Sequence, residues 1–178
     1  SRGEIFRFDI ARQALARLTS TSSTAERNPV LSPDGTELAF FSDAGGEYAL
    51  VIARASDGQL RQRIELPPPA SFPRELTWSP DGRHLALVRS ATGAQFDVLV
   101  IPADGKGTPV VVAGEKANER AAQFSPDGRF LAYGSDESGR TEVYVQTFPP
   151  SGQKWTVSNA GGYQPRWRPR PADCEIDV

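Results

Sequence analysis

Arg27, Arg74 and Arg120 each stand five residues before the serine of a Ser-Pro-Asp-Gly motif, and Tyr163 fills the matching slot ahead of Gln164-Pro165-Arg166-Trp167. A guanidinium presents a planar fork of donors that fits a carboxylate or phosphate. Three of them at one structural position would form a mouth for an anionic ligand or a peptide. The same arginines also suit structural pairing with Glu26, Glu119 or a carbonyl of the next repeat, and the sequence leaves both roles open.

Catalytic constellations are mostly missing. His84 is the one histidine, and no Gly-x-Ser-x-Gly elbow, phosphate loop or kinase catalytic loop occurs. Gly105-Lys106-Gly107 runs into Thr108-Pro109-Val110, so it reads as a hairpin turn rather than a nucleotide cradle. Asp43, Asp136 and Glu137 have the hard-oxygen chemistry of a calcium site, but only two of three repeats carry acids there. Cys174 is the single cysteine, so neither an internal disulfide nor a cysteine zinc site is available. The expectation is a chain that is not itself an enzyme and uses no metal or cofactor.

Those residues are positioned by a repeat. Ser-Pro-Asp-Gly occurs at Ser32–Gly35, Ser79–Gly82 and Ser125–Gly128, spaced 47 and 46 residues apart. Each copy follows a bulky residue (Leu31, Trp78, Phe124) and precedes Leu38-Ala39-Phe40, Leu85-Ala86-Leu87 or Leu131-Ala132-Tyr133. Proline presets φ, aspartate tolerates the next turn position, and glycine takes the φ > 0 conformation at the end of the turn. Second-half strands recur at Leu50-Val51-Ile52, Val98-Leu99-Val100 and Val143-Tyr144-Val145, and closing strands at Arg61–Leu66, Pro109–Ala113 and Lys154–Ser158. Four short strands per repeat of this period predict an all-β propeller of four-stranded antiparallel blades.

In such a blade the loop entering the first strand and the loop between the second and third strands share one face. Asp43, Glu47, Asp136, Glu137 and Arg140 therefore join the arginines there. The candidate partner-binding set is Arg27, Arg74, Arg120, Tyr163, Asp136 and Arg140. Trp78, Phe124 and Trp167 share one slot and read as inter-blade core.

The expected organisation is a propeller segment over 1–170: a partial blade at 4–19, blades at about 28–66, 74–113 and 121–158, and the start of another at 164–169. A tail at 171–178 is expected to be disordered. Ile10 to Leu18 has helix-forming composition, but the repeat register makes Ile5–Asp9 and Leu15–Thr19 the third and fourth strands of the partial blade. Three ways of completing the ring are open: further chain, a second copy in a homo-oligomer, or pairing of Pro165–Trp167 beside the opening strands.

The formal net charge is −2, with 20 Lys+Arg against 22 Asp+Glu, so no basic field points to nucleic acid. No apolar run reaches the length of a membrane span, so no direct membrane insertion is expected.

The run from Asn28 through Leu31-Ser32-Pro33-Asp34-Gly35 to Ser42-Asp43 resembles the WD40-like PD40 repeat of TolB-type propellers. Phe124-Ser125-Pro126-Asp127-Gly128 through Glu142-Val143-Tyr144-Val145 to Trp167 is similar to propeller regions of bacterial receptor-type serine/threonine kinases. The resemblance implies a non-catalytic binding or sensing module with a protein or peptide partner, in a periplasmic or extracellular setting. Its alternatives are the sensor of a membrane kinase and the gating propeller of a prolyl-oligopeptidase-like peptidase.

Overall fold

A computed structural model describes residues 3–20, 24–68, 73–90, 95–114, 117–168 and 176–177. Cys174 and most of the expected tail lie outside the described residues. Every described element is a strand. An opening hairpin, β1 (Phe6–Asp9) and β2 (Ala14–Arg17), is followed by three four-stranded sheets. The first blade holds β3 (Glu26–Leu31), β4 (Glu37–Ser42), β5 (Ala49–Arg54) and β6 (Leu60–Glu65). The second holds β7 (Arg74–Trp78), β8 (His84–Ser90), β9 (Phe96–Pro102) and β10 (Val110–Ala113). The third holds β11 (Glu119–Phe124), β12 (Phe130–Ser135), β13 (Glu142–Thr147) and β14 (Lys154–Thr156). All pair antiparallel in chain order, so the sequence-derived architecture of propeller blades is the observed one.

The turn joining the first two strands of a blade is built identically three times. Ser125 Oγ donates to Asp127 Oδ1 at 2.6 Å and accepts from the Phe130 amide at 2.9 Å. Asp127 Oδ1 also accepts from the Arg129 amide at 3.0 Å. The serine and aspartate of the other two motifs repeat these bonds. Glycine is required last: φ is +71° at Gly35 and Gly82 and +72° at Gly128, a region that L side chains avoid.

The blades stack face to face, so their middle strands are apolar on both sides. Leu38 and Phe40 of β4 face back into a cluster with Ile5, while Ala39 and Phe41 face forward onto Leu76 and Trp78. Outer strands such as β6, Leu-Arg-Gln-Arg-Ile-Glu, have one wet side and keep charges. Trp78 Nε1 reaches back to the Val30 carbonyl at 3.3 Å, and Trp167 Nε1 makes the same bond to Gln123 at 3.1 Å. Trp78 thereby buries its ring and the half-buried Trp167 does so in part, each with its polar end satisfied.

Local helix propensity loses at Ile10–Leu18. The hairpin wins because Ile5 and the half-buried Leu18 join the first blade's core, and the Leu18 amide closes on the Ile5 carbonyl at 2.8 Å. The blade strands start two residues ahead of the expected 28 and 121, at Glu26 and Glu119, because a bulge lets pairing resume beyond them. β15 (Arg166–Trp167) pairs with β16 (Ile176–Asp177), so two residues of the expected disordered tail form a strand, with Ile176 opposite Trp167. β15 does not join β1 and β2, which form a separate sheet.

Candidate functional site

The innermost strands β3, β7 and β11 touch in series, and their first residues form one mouth. Arg27 lies opposite Phe41, Arg74 opposite Val88 and Arg120 opposite Gly134, the same register in each blade. All three arginines are exposed. Immediately after each one the strand bulges: the ladder shifts between Arg27 and Val30, Arg74 and Leu76, and Arg120 and Gln123. The bulging residues Asn28, Glu75 and Ala121 have φ of +52°, +49° and +55°. A non-glycine residue in the left-handed region is uncommon, and glutamate and alanine have no local bond that eases it.

The six candidates separate into distinct environments. The Arg74 guanidinium stacks on the Phe96 ring at 4.6 Å, which fixes its height at the mouth. Arg120 and Tyr163 come together over Gly134: a Cβ there would lie 3.3 Å from Arg120 Cγ and 3.0 Å from the Tyr163 carbonyl oxygen. Tyr163 is 56 % exposed, so its side chain is offered to solvent. Asp136 is committed to the scaffold. Its carboxylate accepts from the Asn118 amide and side-chain nitrogen, both at 2.8 Å, and these bonds hold its pKa below the usual range. Asp43 does the same for the Ala25 amide at 2.7 Å. These bonds tie the second-to-third-strand loop to the entry of the first strand, which puts both on one face. Arg140 pairs with Glu142 at 2.5 Å and donates to the Asn159 carbonyl, some way outward along the blade. Among the described residues no group of three or more metal-ligating side chains occurs.

Just inside the mouth lies a layer that sequence reasoning treats only as a source of partners for arginine. Glu26 sits opposite Ser42 and Glu119 opposite Ser135, all four buried. Ser135 Oγ donates to Glu119 Oε1 at 2.9 Å. In the second blade the pair is replaced by Pro73 and Arg89, and Arg89 donates to the Pro67 and Pro68 carbonyls at 2.7 and 3.2 Å. Arg89 also faces Asp97 at 3.8 Å. The recurrence of Glu and Ser at fixed offsets from the turn was the available signal. The bulge had none, since Asn28, Glu75 and Ala121 share no chemistry.

No family model matches the chain. It is 30% identical over 132 residues to a TolB homolog protein of Chlorobium luteolum, covering 74% of this chain and 28% of that one. It superposes on the structure of a putative TolB from Agrobacterium tumefaciens with a TM-score of 0.76 at 20% identity, over 95% of this chain and 60% of the other. These are TolB-like propeller blades. A second relative is the uncharacterized peptidase YuxL of Bacillus subtilis, 30% identical over 159 residues, with 66% of this chain and 24% of that protein covered. The TolB-like chain thus spans less than a third of either relative.

Proposed function

We propose that this TolB-like segment is a non-catalytic binding and sensing module that docks a protein or peptide on its mouth face. The observation that carries the reading is the alignment of Arg27, Arg74 and Arg120 at one register on three adjacent inner strands, with Tyr163 beside Arg120. Such an array recognises carboxylate-bearing surfaces and steers their approach. Asp136 serves by bracing the loop, and Arg140 lies at the periphery. The TolB resemblance supports an extracytoplasmic setting. The test is a pull-down from the source cell's envelope fraction with the chain and with Arg27, Arg74 and Arg120 all changed to alanine. Docking at the mouth requires loss of a partner from a variant that stays folded; retention of every partner overturns it.

A second reading is the gating propeller of a peptidase, favoured by the identity with YuxL. Sequencing the coding DNA beyond this segment decides it. A hydrolase domain with a nucleophile elbow makes the segment a gate, whereas an upstream kinase domain and membrane helix make it a sensor.

A further inference from the structure

The bulge at the mouth has a use that one blade step displays. Glu75 and Ala121 are the bulging residues of adjacent blades, 46 positions apart and thus at equivalent places. The Glu75 carboxylate accepts a hydrogen bond from the Ala121 backbone amide. The extra residue of a bulge has no partner across its ladder, so its amide is available to the channel side. At the step between second and third blades the chain fills that place with its own carboxylate. The amide belongs to the peptide bond just after Arg120.

The step between first and second blades has the donor without the acid. The Glu75 amide stands at the same bulge, φ +49°. The residue one blade back is Asn28, exposed and neutral. No Asn28 side-chain bond to the Glu75 amide occurs among the described residues. We infer that this step is a carboxylate-binding place, filled by an acidic side chain of the docked peptide that does from outside what Glu75 does from within. The charge of Glu75 does not close the site to an anion, because its carboxylate is directed to Ala121 on the opposite side. The inference rests on the mouth being the docking face and specifies what is read there.

The test is an amide-shift titration of the whole chain with N-acetyl-Gly-Glu-Gly amide, its glutamine counterpart, and N-acetyl-Gly-Gly with a free carboxyl terminus. The glutamate peptide is expected to shift the Glu75 amide and bind at least tenfold more tightly than the glutamine peptide. Asn28→Glu, which supplies the acid in cis, is expected to abolish that shift. Glu75→Ala, which takes the acceptor away from the Ala121 amide, is expected to add a second, saturable shift at Ala121. A free-carboxyl peptide that outcompetes the glutamate peptide would overturn the side-chain assignment. A Glu75 amide that stays still while other mouth residues shift would overturn the carboxylate place and leave the docking face standing. Equal titration of Asn28→Glu and the unaltered chain would overturn it as well. Loss of partners from the arginine variant in the pull-down is read separately, so the two ideas fail separately.

Discussion

Ser135 Oγ donates to Glu119 Oε1 at 2.9 Å across the first ladder of the third blade, and the other carboxylate oxygen is buried with no hydrogen-bond partner among the described residues. Burial pushes the Glu119 carboxyl up to about 7; the Ser135 bond opposes the rise, and Asp97, Glu137 and Asp136 add to it. Glu119 is 1 % exposed, so relief by water is small. A carboxyl whose folded value lies above its unfolded value binds more protons when folded. Stability therefore falls as pH rises through the window from about 4.5 to about 7 and is flat in this respect above it. At about 1.4 kcal/mol per unit, discounted for screening at the blade edge, the loss is about 1–2 kcal/mol. Glu119→Gln keeps the acceptor for Ser135 and removes the charge. Urea melts at pH 5 and pH 8 should differ less in the variant than in the parent, and the variant should be the more stable at pH 8. An unchanged difference would place the titration elsewhere.

The turn aspartates act on the other side of neutrality. The Ser32 bond leads the effects that hold Asp34 low. Burial raises Asp81, yet the Ser79 and Arg83-amide bonds outweigh it and leave that carboxyl below its ordinary value as well. Stability from a depressed carboxyl is present above its unfolded value and lost as pH falls through the folded one. The chain should therefore be most stable near pH 5, between the acid limb of the turns and the rising limb of Glu119. Ser125→Ala tests the turns directly. The buried hydroxyl serves Asp127 and the Phe130 amide, so its loss leaves a buried donor unmet and should cost about 1–3 kcal/mol. A denaturant midpoint within error of the parent would mean that Asp127 alone sustains the turn.

The sequence made the architecture legible because the turn chemistry is written in four residue types at a fixed period. Register could then overrule the helical look of Ile10–Leu18. The mouth was legible only in part. Arg27, Arg74 and Arg120 were visible because they repeat, whereas the bulge beyond them was hidden because backbone geometry there is imposed by closing strands rather than by side chain. Asp136 looked like a ligand residue, and its commitment to Asn118 could not be read, since that bond joins positions 18 apart through the fold. Arg140 follows Asp136 in the same loop, and its guanidinium pairs with the carboxylate of Glu142.

Gly134 is where the third blade admits the 163–167 segment. Phe41 and Val88 occupy this slot in the earlier blades, but here the Tyr163 Cα and carbonyl oxygen would lie 3.1 and 3.0 Å from a Cβ. Both are backbone atoms, so alanine forces that segment outward. Gly134→Ala should cost about 1–3 kcal/mol, the range for overpacking. It should also loosen the Trp167 bond to Gln123, shifting tryptophan emission to the red. Unchanged emission and stability would show that the segment has slack.

Arg74→Ala separates the two roles that the repeated arginine could play. The stacking on Phe96 at 4.6 Å is exposed, so its loss should cost about 0.5–1 kcal/mol. Docking, if it uses this guanidinium for a carboxylate, should weaken at least tenfold, about 1.4 kcal/mol, and the loss should shrink with added salt because the contact is at the surface. Arg74→Lys keeps the charge but not the planar fork, so it should recover the salt dependence and only part of the affinity. A fall in melting temperature larger than the loss of binding would assign the arginines to blade packing. A loss of binding with the melt nearly unmoved assigns them to the partner, and measuring both on one preparation of each variant decides it.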